Sequence, residues 1–337
     1  MKRLIFILLV IITIPVVASK KAILIGVSNY PDGSGWCKLS SNNDVRLIKD
    51  ILSPEWNLVV LEDENATYKA IKETLIHVAD ISSPGDTVYI HFSGHGQQML
   101  PITNNPSNEA DLLDEALVPY DAQLKWSPEY DGQNHLRDDE FGKLIDKIRD
   151  RLGKNGLVIV VLDACHSDSM QKGSSGEDDT SQIYRGTSDI FGENVTEAHL
   201  KKRYNRDTSI IPINNNSNVI YISACQAHSK NAEIKTGGIG YGSLSYAVSG
   251  AIKDGEIEDV SLFLDRVVLS MDTLVPYQIP AIRASFNYNM PVLRQQMVSI
   301  PDTIKLNDTH VNYRYILIIT ISIILILIAI VWRLKKK

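Results

Sequence analysis

The chain has 337 residues, 34 Lys and Arg against 40 Asp and Glu, a formal net charge of −6, and 44% hydrophobic content. That balance offers no basic surface for a nucleic acid, and the acids are dispersed, which argues against a disordered acidic tail. The length allows one large or two ordinary domains with a substantial core, and three cysteines are too few for a disulfide framework.

Residues 1–19 have a basic start (Lys2, Arg3), an apolar stretch Leu4–Val17 and small residues at Ala18 and Ser19, the layout of a signal peptide. The stretch is short for a membrane span of about 20 residues. Lys21–Val27 then reads as a first strand, and Asn43–Leu52 as a helix with Val45, Ile48 and Leu52 on one face, capped by Asn42 or Asn43. Leu58–Leu61 is a second strand. Thr67–Ile81 is an amphipathic helix with Ile71, Leu75, Val78 and Ala79 inward, and Pro84-Gly85-Asp86 turns the chain into a strand over Val88–Phe92. Asp138–Arg151 supplies the next helix, with Asp138 and Asp139 suited to its N-cap, and Leu157–Ser167 the next strand, a run of six apolar residues that ends in Asp163.

Residues 168–218 are polar and read as a flexible insertion with basic residues Lys201, Lys202, Arg203 and Arg206. Order resumes at Val219–Ser223, a strand, followed by helices at Ser243–Lys253 and Ser261–Leu274. Strand and helix alternate, so the expected fold is α/β, with a mainly parallel sheet flanked by helices on both faces. This domain takes up residues 20–300 and leads through a polar stalk, 301–314, to an apolar segment, 315–332, bracketed by aromatics and followed by a basic tail, 333–337. The segment reads as a transmembrane helix with a cytoplasmic C-terminus, which puts the domain outside the cytoplasm.

Two strand ends carry chemistry. Val88–Gly96 (VYIHFSGHG) delivers Ser93 and His95, and Leu157–Ser167 (LVIVVLDACHS) delivers Asp163, Cys165 and His166. Reacting groups of open α/β sheets collect beyond the carboxyl ends of the strands. A thiolate is the nucleophilic form of cysteine and a neighbouring imidazole promotes it, so Cys165 reads as nucleophile and His95 as its base. Alternation on extended backbone turns His166 away from the sulfur and brings Asp163 to the same side as Cys165, where its carboxylate suits a cationic side chain. Cys37 and Cys225 read either as a disulfide or as two ordinary small side chains.

SGHG at one strand end and DACHS at another resemble the paired signatures of caspase-like cysteine peptidases, metacaspases above all, over roughly Lys20 to Met297. The resemblance implies a caspase-like fold, a Cys–His dyad, and an oxyanion hole built from the N–H groups of Gly96 and Cys165. Leu39–Val45 (LSSNNDV) is similar to the segment that gives such enzymes an acidic specificity pocket, here Asp44, and Ser93 matches a further pocket position. With Asp163, these residues imply cleavage of protein or peptide substrates after Arg or Lys. Where the family often has Cys in that segment, this chain has Ser41.

No cofactor is implied as a requirement. Asp114, Asp138 and Asp139 match calcium-ligand positions of many metacaspases, but Lys172 stands where a further ligand would be Asp. Basic residues in the insertion suggest self-cleavage near Lys172 or Lys201–Arg206. The resemblance also admits a transamidase or ligase of the same fold. A scaffold that had lost activity would be expected to lack His95 or Cys165, and both are present.

Overall fold

The strand-forming runs sort their side chains by parity. In β1 (Lys20–Gly26), Ala22 and Leu24 are buried among one set of apolar residues while Ile23 and Ile25 are buried among another. Only a strand with helices on both faces buries both parities. The computed structural model describes residues 18–52, 54–101, 113–165, 183–196, 216–225, 230–253, 257 and 259–291. All of these fall within the unit Met1–Leu293.

In chain order, β1 is followed by α1 (Ser41–Leu52), β2 (Trp56–Glu62), α2 (Tyr68–Ile81) and β3 (Thr87–Ser93). Three short strands follow, β4 (Gly96–Met99), β5 (Asp114–Leu117) and β6 (Leu136–Arg137), then α3 (Asp138–Leu152) and β7 (Leu157–Asp163). The rest of the order is β8 (Asn218–Ser223), β9 (Glu233–Thr236), β10 (Ile239–Gly242), α4 (Ser243–Lys253), α5 (Val260–Leu274) and β11 (Ala281–Ala284).

The main sheet runs β11-β8-β7-β3-β1-β2, and every neighbouring pair is parallel except β11 with β8. Ile71, Leu75 and Val78 of α2 and Ile145 and Ile148 of α3 cover one face against Ile23, Ile90 and Val160. Val45 and Ile48 of α1, Leu244 and Val248 of α4, and Phe263 and Val267 of α5 cover the other against Leu24, Tyr89 and Val161. Each fully buried Leu, Ile or Phe contributes about 1.5–3 kcal/mol of burial free energy. The two apolar layers are therefore what fixes the sheet and leaves its strand ends uncovered for the site.

The sequence places the main helices and parallel strands within one or two residues, except that β7 ends at Asp163 rather than Ser167. Its N-cap assignments need correction. Asn42 and Asn43 lie inside α1, which begins at Ser41. Asp138 and Asp139 occupy the first turn of α3 behind an Arg137 N-cap, where their charge still favours the helix N-terminus. Thr67 does cap α2, accepting the Ala70 N–H. The antiparallel sheet β4-β5-β6, the β9–β10 hairpin and β11 were not anticipated, because strands of two to four residues are too short for a period to register.

Residues 1–17 of the expected leader, the stalk and the expected membrane helix at 315–332 lie outside the described residues. Among the described residues no helix is long and apolar enough to cross a membrane.

Candidate active site

Register brings the two motif strands level. β3 pairs with β7 so that Ser93 faces Asp163, and His95 and Cys165 each follow two residues beyond that pair. The Gly94 N–H donates to the Asp163 carbonyl at 3.3 Å, which ties the two strand ends together.

His95 is fully buried and its ring is fixed on three sides. Trp36 stacks on it with centroids 4.8 Å apart, and Tyr30 leans on it at 5.3 Å. The Tyr30 hydroxyl accepts the His95 backbone N–H at 3.0 Å and donates to the Val118 carbonyl at 3.0 Å. The ring's Nε2 lies 3.1 Å from the Cys37 carbonyl oxygen, an acceptor only, so Nε2 carries the proton and Nδ1 is left with the lone pair. Nδ1 has no hydrogen-bond partner among the described residues. Burial lowers the pKa of His95 to about 4, with the Cys37 hydrogen bond opposing and the charge of Arg185 adding to the shift. The imidazole is neutral and its basic atom is available.

Cys165 carries its thiol against a second cysteine. The Cys225 S–H donates to Cys165 Sγ at 2.9 Å, and the shared hydrogen bond together with burial pushes the Cys225 thiol well up. None of the three cysteines is in a disulfide, so the Cys37–Cys225 alternative is set aside: Cys37 belongs with His95, where its sulfur lies 3.5 Å from Nε2, and Cys225 with Cys165. His166 lies outside the described residues. Gly96 opens β4 opposite Leu117.

The acidic pocket next to these residues is more elaborate than the sequence suggested, and it is filled from within the chain. Arg185 is fully buried. Its Nη2 meets Asp44 at 2.8 Å and Glu233 at 2.8 Å, while Nη1 donates to Ser93 Oγ at 2.6 Å and lies 3.6 Å from Asp163. Burial works against the Arg185 charge, but the combined fields of Asp44, Asp163 and Glu233 outweigh it and raise its pKa. Burial and the nearby Asp163 push Asp44 up to about 6 in spite of Arg185 and hydrogen bonds from Ser93 and Gly242. Asp163 goes the other way. Burial disfavours its charge, yet Arg185, Asn231 and both the N–H and hydroxyl of Ser245 hold it below the usual carboxylate range.

A buried relay orders the wall behind Asp163. Ser245 Oγ spends its proton on Asp163 at 2.6 Å, so it accepts from His91 Nε2 at 3.0 Å, and His91 Nδ1 accepts the Tyr89 hydroxyl at 2.9 Å. His91 is accordingly neutral, its pKa lowered by burial to about 4. Gly242 forms the floor. A β-carbon there would stand inside van der Waals contact with Asp163 Oδ2 and 2.5 Å from Arg185 Nη1.

The backbone of Arg185 is as well placed as its side chain. Its carbonyl accepts the Cys165 N–H at 2.7 Å and its N–H donates to the Asn231 carbonyl at 2.9 Å. Tyr184 bridges Ala232 in antiparallel fashion, and the Glu233 N–H donates to the Ile183 carbonyl at 2.9 Å. Residues 183–185 thus lie as an extended strand along Asn231–Glu233. Gly186 follows directly against Cys165, so close that a β-carbon would collide with the Cys165 carbonyl. This part of the expected 168–218 insertion is an ordered occupant of the site; residues 166–182 and 197–215 lie outside the described residues.

Asp114 and Asp138, two of the expected calcium ligands, each have a contact within the chain. Asp114, on β5, is paired with Arg137, and Asp138 accepts the Asp139 N–H at 2.9 Å at the start of α3. Among the described residues no three His, Cys, Asp or Glu side chains are grouped to hold a metal.

Of the sequence candidates, Asp44, Ser93 and Asp163 meet around one guanidinium, and His95 and Cys165 stand at adjoining strand ends. Cys37, Glu233, Asn231, Ser245, Gly242 and Arg185 escaped the sequence reading. Most sit in stretches without a periodic signal, and the role of Cys37 rests on a backbone carbonyl, which a sequence cannot display.

The caspase domain model matches residues 19–290. Metacaspase-4 of Arabidopsis thaliana is 29% identical over 158 residues, covering 44% of this chain and 34% of that protein. Metacaspase-6 of the same plant is 27% identical over 203 residues, 57% of this chain and 45% of its own length. Metacaspase-1 of Plasmodium falciparum is 28% identical over 163 residues, 44% of this chain and 24% of its own length. The match therefore spans less than half the length of these relatives. A crystal structure of a Geobacter sulfurreducens protein shares the fold with a TM-score of 0.52 at 19% identity, covering 81% of this chain and 95% of that one. With the family model extending across most of its length, this chain belongs to the caspase-domain family of cysteine peptidases, with metacaspases among its relatives.

Proposed function

We propose that this protein is a cysteine endopeptidase that cleaves on the carboxyl side of arginine, and less readily of lysine, with Cys165 as nucleophile and His95 as base. The reading is carried by Arg185, whose guanidinium meets Asp44, Glu233 and Ser93 while its carbonyl accepts the Cys165 N–H. A buried structural arginine needs only its guanidinium satisfied. Here the side chain, the carbonyl and both flanking residues are all held as a substrate would be, beside a thiol.

In the mechanism, His95 Nδ1 takes the Cys165 proton and the sulfur attacks the carbonyl carbon of the residue in the acidic pocket. The Cys165 N–H stabilises the oxyanion, with Gly96 as the expected second donor. His95 returns the proton to the departing amine, which leaves a thioester that water hydrolyses with His95 again as base. The Nε2–H donated to the Cys37 carbonyl keeps the imidazole in the tautomer this requires and steadies the imidazolium that forms. The anchoring of the enzyme by 315–332, with its catalytic domain extracytoplasmic, is part of the reading and rests on the sequence.

The test is hydrolysis of fluorogenic peptides ending in Arg, Lys, Asp or Asn by the full-length chain, its Cys165→Ala variant, and its Arg185→Ala variant, in which the pocket is emptied. Turnover after Arg that vanishes with Cys165→Ala is the expected result. A folded Arg185→Ala protein without turnover after any of the four would overturn the reading, and turnover after Asn alone would move it to the transamidase branch.

A further inference from the structure

We infer that Cys165 and Cys225 form a reversible disulfide when the protein meets a hydroperoxide, and that this bond masks the thiol of the site and spares it irreversible oxidation. The pairing stands on geometry alone; the loss of activity that goes with it rests on the peptidase reading.

The sheet brings the two sulfurs together. β7 and β8 are parallel neighbours with Leu162 opposite Ser223, and the Ala224 N–H donates to the Leu162 carbonyl at 3.1 Å. Cys165 follows the last residue of β7 by two positions and Cys225 follows the last residue of β8 by two, so the thiols leave the same end of the sheet side by side. Neighbouring strands lie about 4.8 Å apart, inside the roughly 4.4–6.8 Å between α-carbons that a disulfide tolerates. The sulfurs already stand 2.9 Å from one another, and bonding at about 2.05 Å needs under an ångström of closure.

Both backbones are held where they stand. The Cys165 N–H donates to the Arg185 carbonyl at 2.7 Å. The carbonyl of Ala224, next to Cys225, accepts from Gln278 Nε2 at 2.9 Å, and the same nitrogen reaches Asn231 Oδ1 and Ser243 Oγ. Both cysteines are buried, and neither is in a disulfide, so the pair rests as two sulfurs sharing one hydrogen bond. A cysteine that only fills apolar space needs no sulfur for a neighbour. Cys37, the third in the chain, keeps to His95 instead, 3.5 Å from Nε2.

The two thiols are set to react in order. Cys225 is pushed well up by its hydrogen bond to Cys165, then by burial and by the charge of Cys165. Cys165, which accepts that hydrogen bond and has the base His95 at the adjoining strand end, is therefore the one to meet the oxidant. Once it is a neutral sulfenic acid, its thiolate charge and the S–H···S bond are gone, and Cys225 gives up its proton more readily.

The chemistry consumes one peroxide. His95 Nδ1 takes the Cys165 proton, the sulfur attacks an oxygen of hydrogen peroxide, and the O–O bond breaks. The departing hydroxide recovers the proton from His95 as water, which leaves sulfenic acid on Cys165. The Cys225 sulfur then bonds to the Cys165 sulfur, the S–O bond breaks, and hydroxide leaves with the Cys225 proton as a second water. The two thiols have lost two electrons and the peroxide has gained them. A dithiol reverses the bond by exchange.

The experiment treats the full-length chain, reduced and freed of reductant, with hydrogen peroxide as the probe. Remaining thiols are blocked with N-ethylmaleimide, and the cysteine peptides are mapped by mass spectrometry without reduction. The expected product joins the Cys165 and Cys225 peptides, leaves Cys37 alkylated, and returns to thiols with dithiothreitol. Turnover of a fluorogenic Arg peptide should fall as the link forms and recover as it is reduced. In Cys225→Ser and Cys225→Ala the peroxide should carry Cys165 on to the sulfinic acid, which dithiothreitol does not reverse, roughly tenfold or more faster than in the wild type. Mapping of the wild type needs neither activity nor a folded variant. Thiols that stay unlinked, a link from Cys37 to either partner, or sulfinic acid on Cys165 at the same rate with and without Cys225 would overturn the inference and leave the peptidase reading standing. A Cys165–Cys225 link that leaves peptide turnover undiminished would support the pairing and count against the peptidase reading.

Discussion

The carbonyl oxygen of Arg185 lies 2.7 Å from the backbone nitrogen of Cys165 and accepts its N–H. This single bond ties the cluster of Asp44, Asp163 and Glu233 around the guanidinium to the backbone of Cys165. On the proposed reading, a residue whose side chain enters that cluster has its carbonyl held at the Cys165 N–H, so charge recognition and chemistry share one geometry.

Gly242 is expected to be intolerant of any side chain. Its missing β-carbon is the space used by Asp163 and the bound guanidinium. Gly242→Ala should lower kcat/KM for Arg peptides by about 100-fold, equivalent to ~2.7 kcal/mol of transition-state binding. Overpacking should cost about 1–3 kcal/mol of stability as well. Kinetics on the folded variant together with a urea melt separate the two effects.

The pocket should prefer arginine to lysine. Nη2 is shared between Asp44 and Glu233 while Nη1 reaches Ser93, a fork that an ammonium cannot reproduce. We expect roughly tenfold higher kcat/KM for Arg, about 1.4 kcal/mol. Glu233→Gln should shrink that ratio, because it removes one arm of the fork. Paired peptides differing only at that residue measure it.

Acid should weaken the pocket before it unfolds the protein. Asp44 is pushed up to about 6, so below that pH it takes a proton and releases its hold on the guanidinium. The KM for Arg peptides should therefore rise as pH falls through 6, and Asp44→Asn should show a high KM with that dependence removed. A pH series at constant ionic strength is the check.

Stability should fall in the same direction for a different reason. His91, His95 and His135 are buried neutral, their pKa values lowered by burial to about 4, about 4 and about 3. In the unfolded chain they take protons near pH 6.5. Between about 6.5 and 4 the unfolded state thus binds more protons, so the stability these groups give is present above that window and lost as pH falls through it. At pH 5 each accounts for on the order of 2 kcal/mol. Asp44, with its folded pKa raised, acts oppositely but is one group against three. The melting temperature should drop by roughly 10 °C between pH 7 and 5, and less in His135→Gln.

Much of this was legible in the sequence because buried strands and amphipathic helices announce themselves. LVIVVLDACHS has enough apolar length to be a central strand, which β7 between β3 and β8 bears out, and the polar residues at its end mark the candidate site. What stayed hidden depends on contacts across the chain. Glu233 reaches the pocket from 48 residues beyond Arg185, in a strand of four. Arg185 itself lies in a polar stretch whose composition signals a loop, whereas its conformation is set by Asn231–Glu233 and the acidic pocket.

The aromatic clamp on His95 should matter for rate rather than binding. Trp36 touches the imidazole and not the pocket, so Trp36→Ala should lower kcat by roughly 10-fold or more with little change in KM, a cost of about 1.4 kcal/mol. Trp36→Phe, which keeps a stacking face, should recover most of it. Steady-state kinetics on the three proteins decide.

The most direct measurement is covalent. An arginyl chloromethyl ketone carries a pocket-seeking side chain and an electrophile where the scissile carbonyl would be, and peptide mapping by mass spectrometry reports which atom it finds. With the full-length Arg185→Ala protein, in which the pocket is emptied, the account predicts a single adduct on Cys165, slowed at least tenfold by Asp44→Asn, and no comparable adduct from the aspartyl reagent. An adduct on Cys37 or Cys225 in place of Cys165, or equal labelling by the aspartyl reagent, would contradict it.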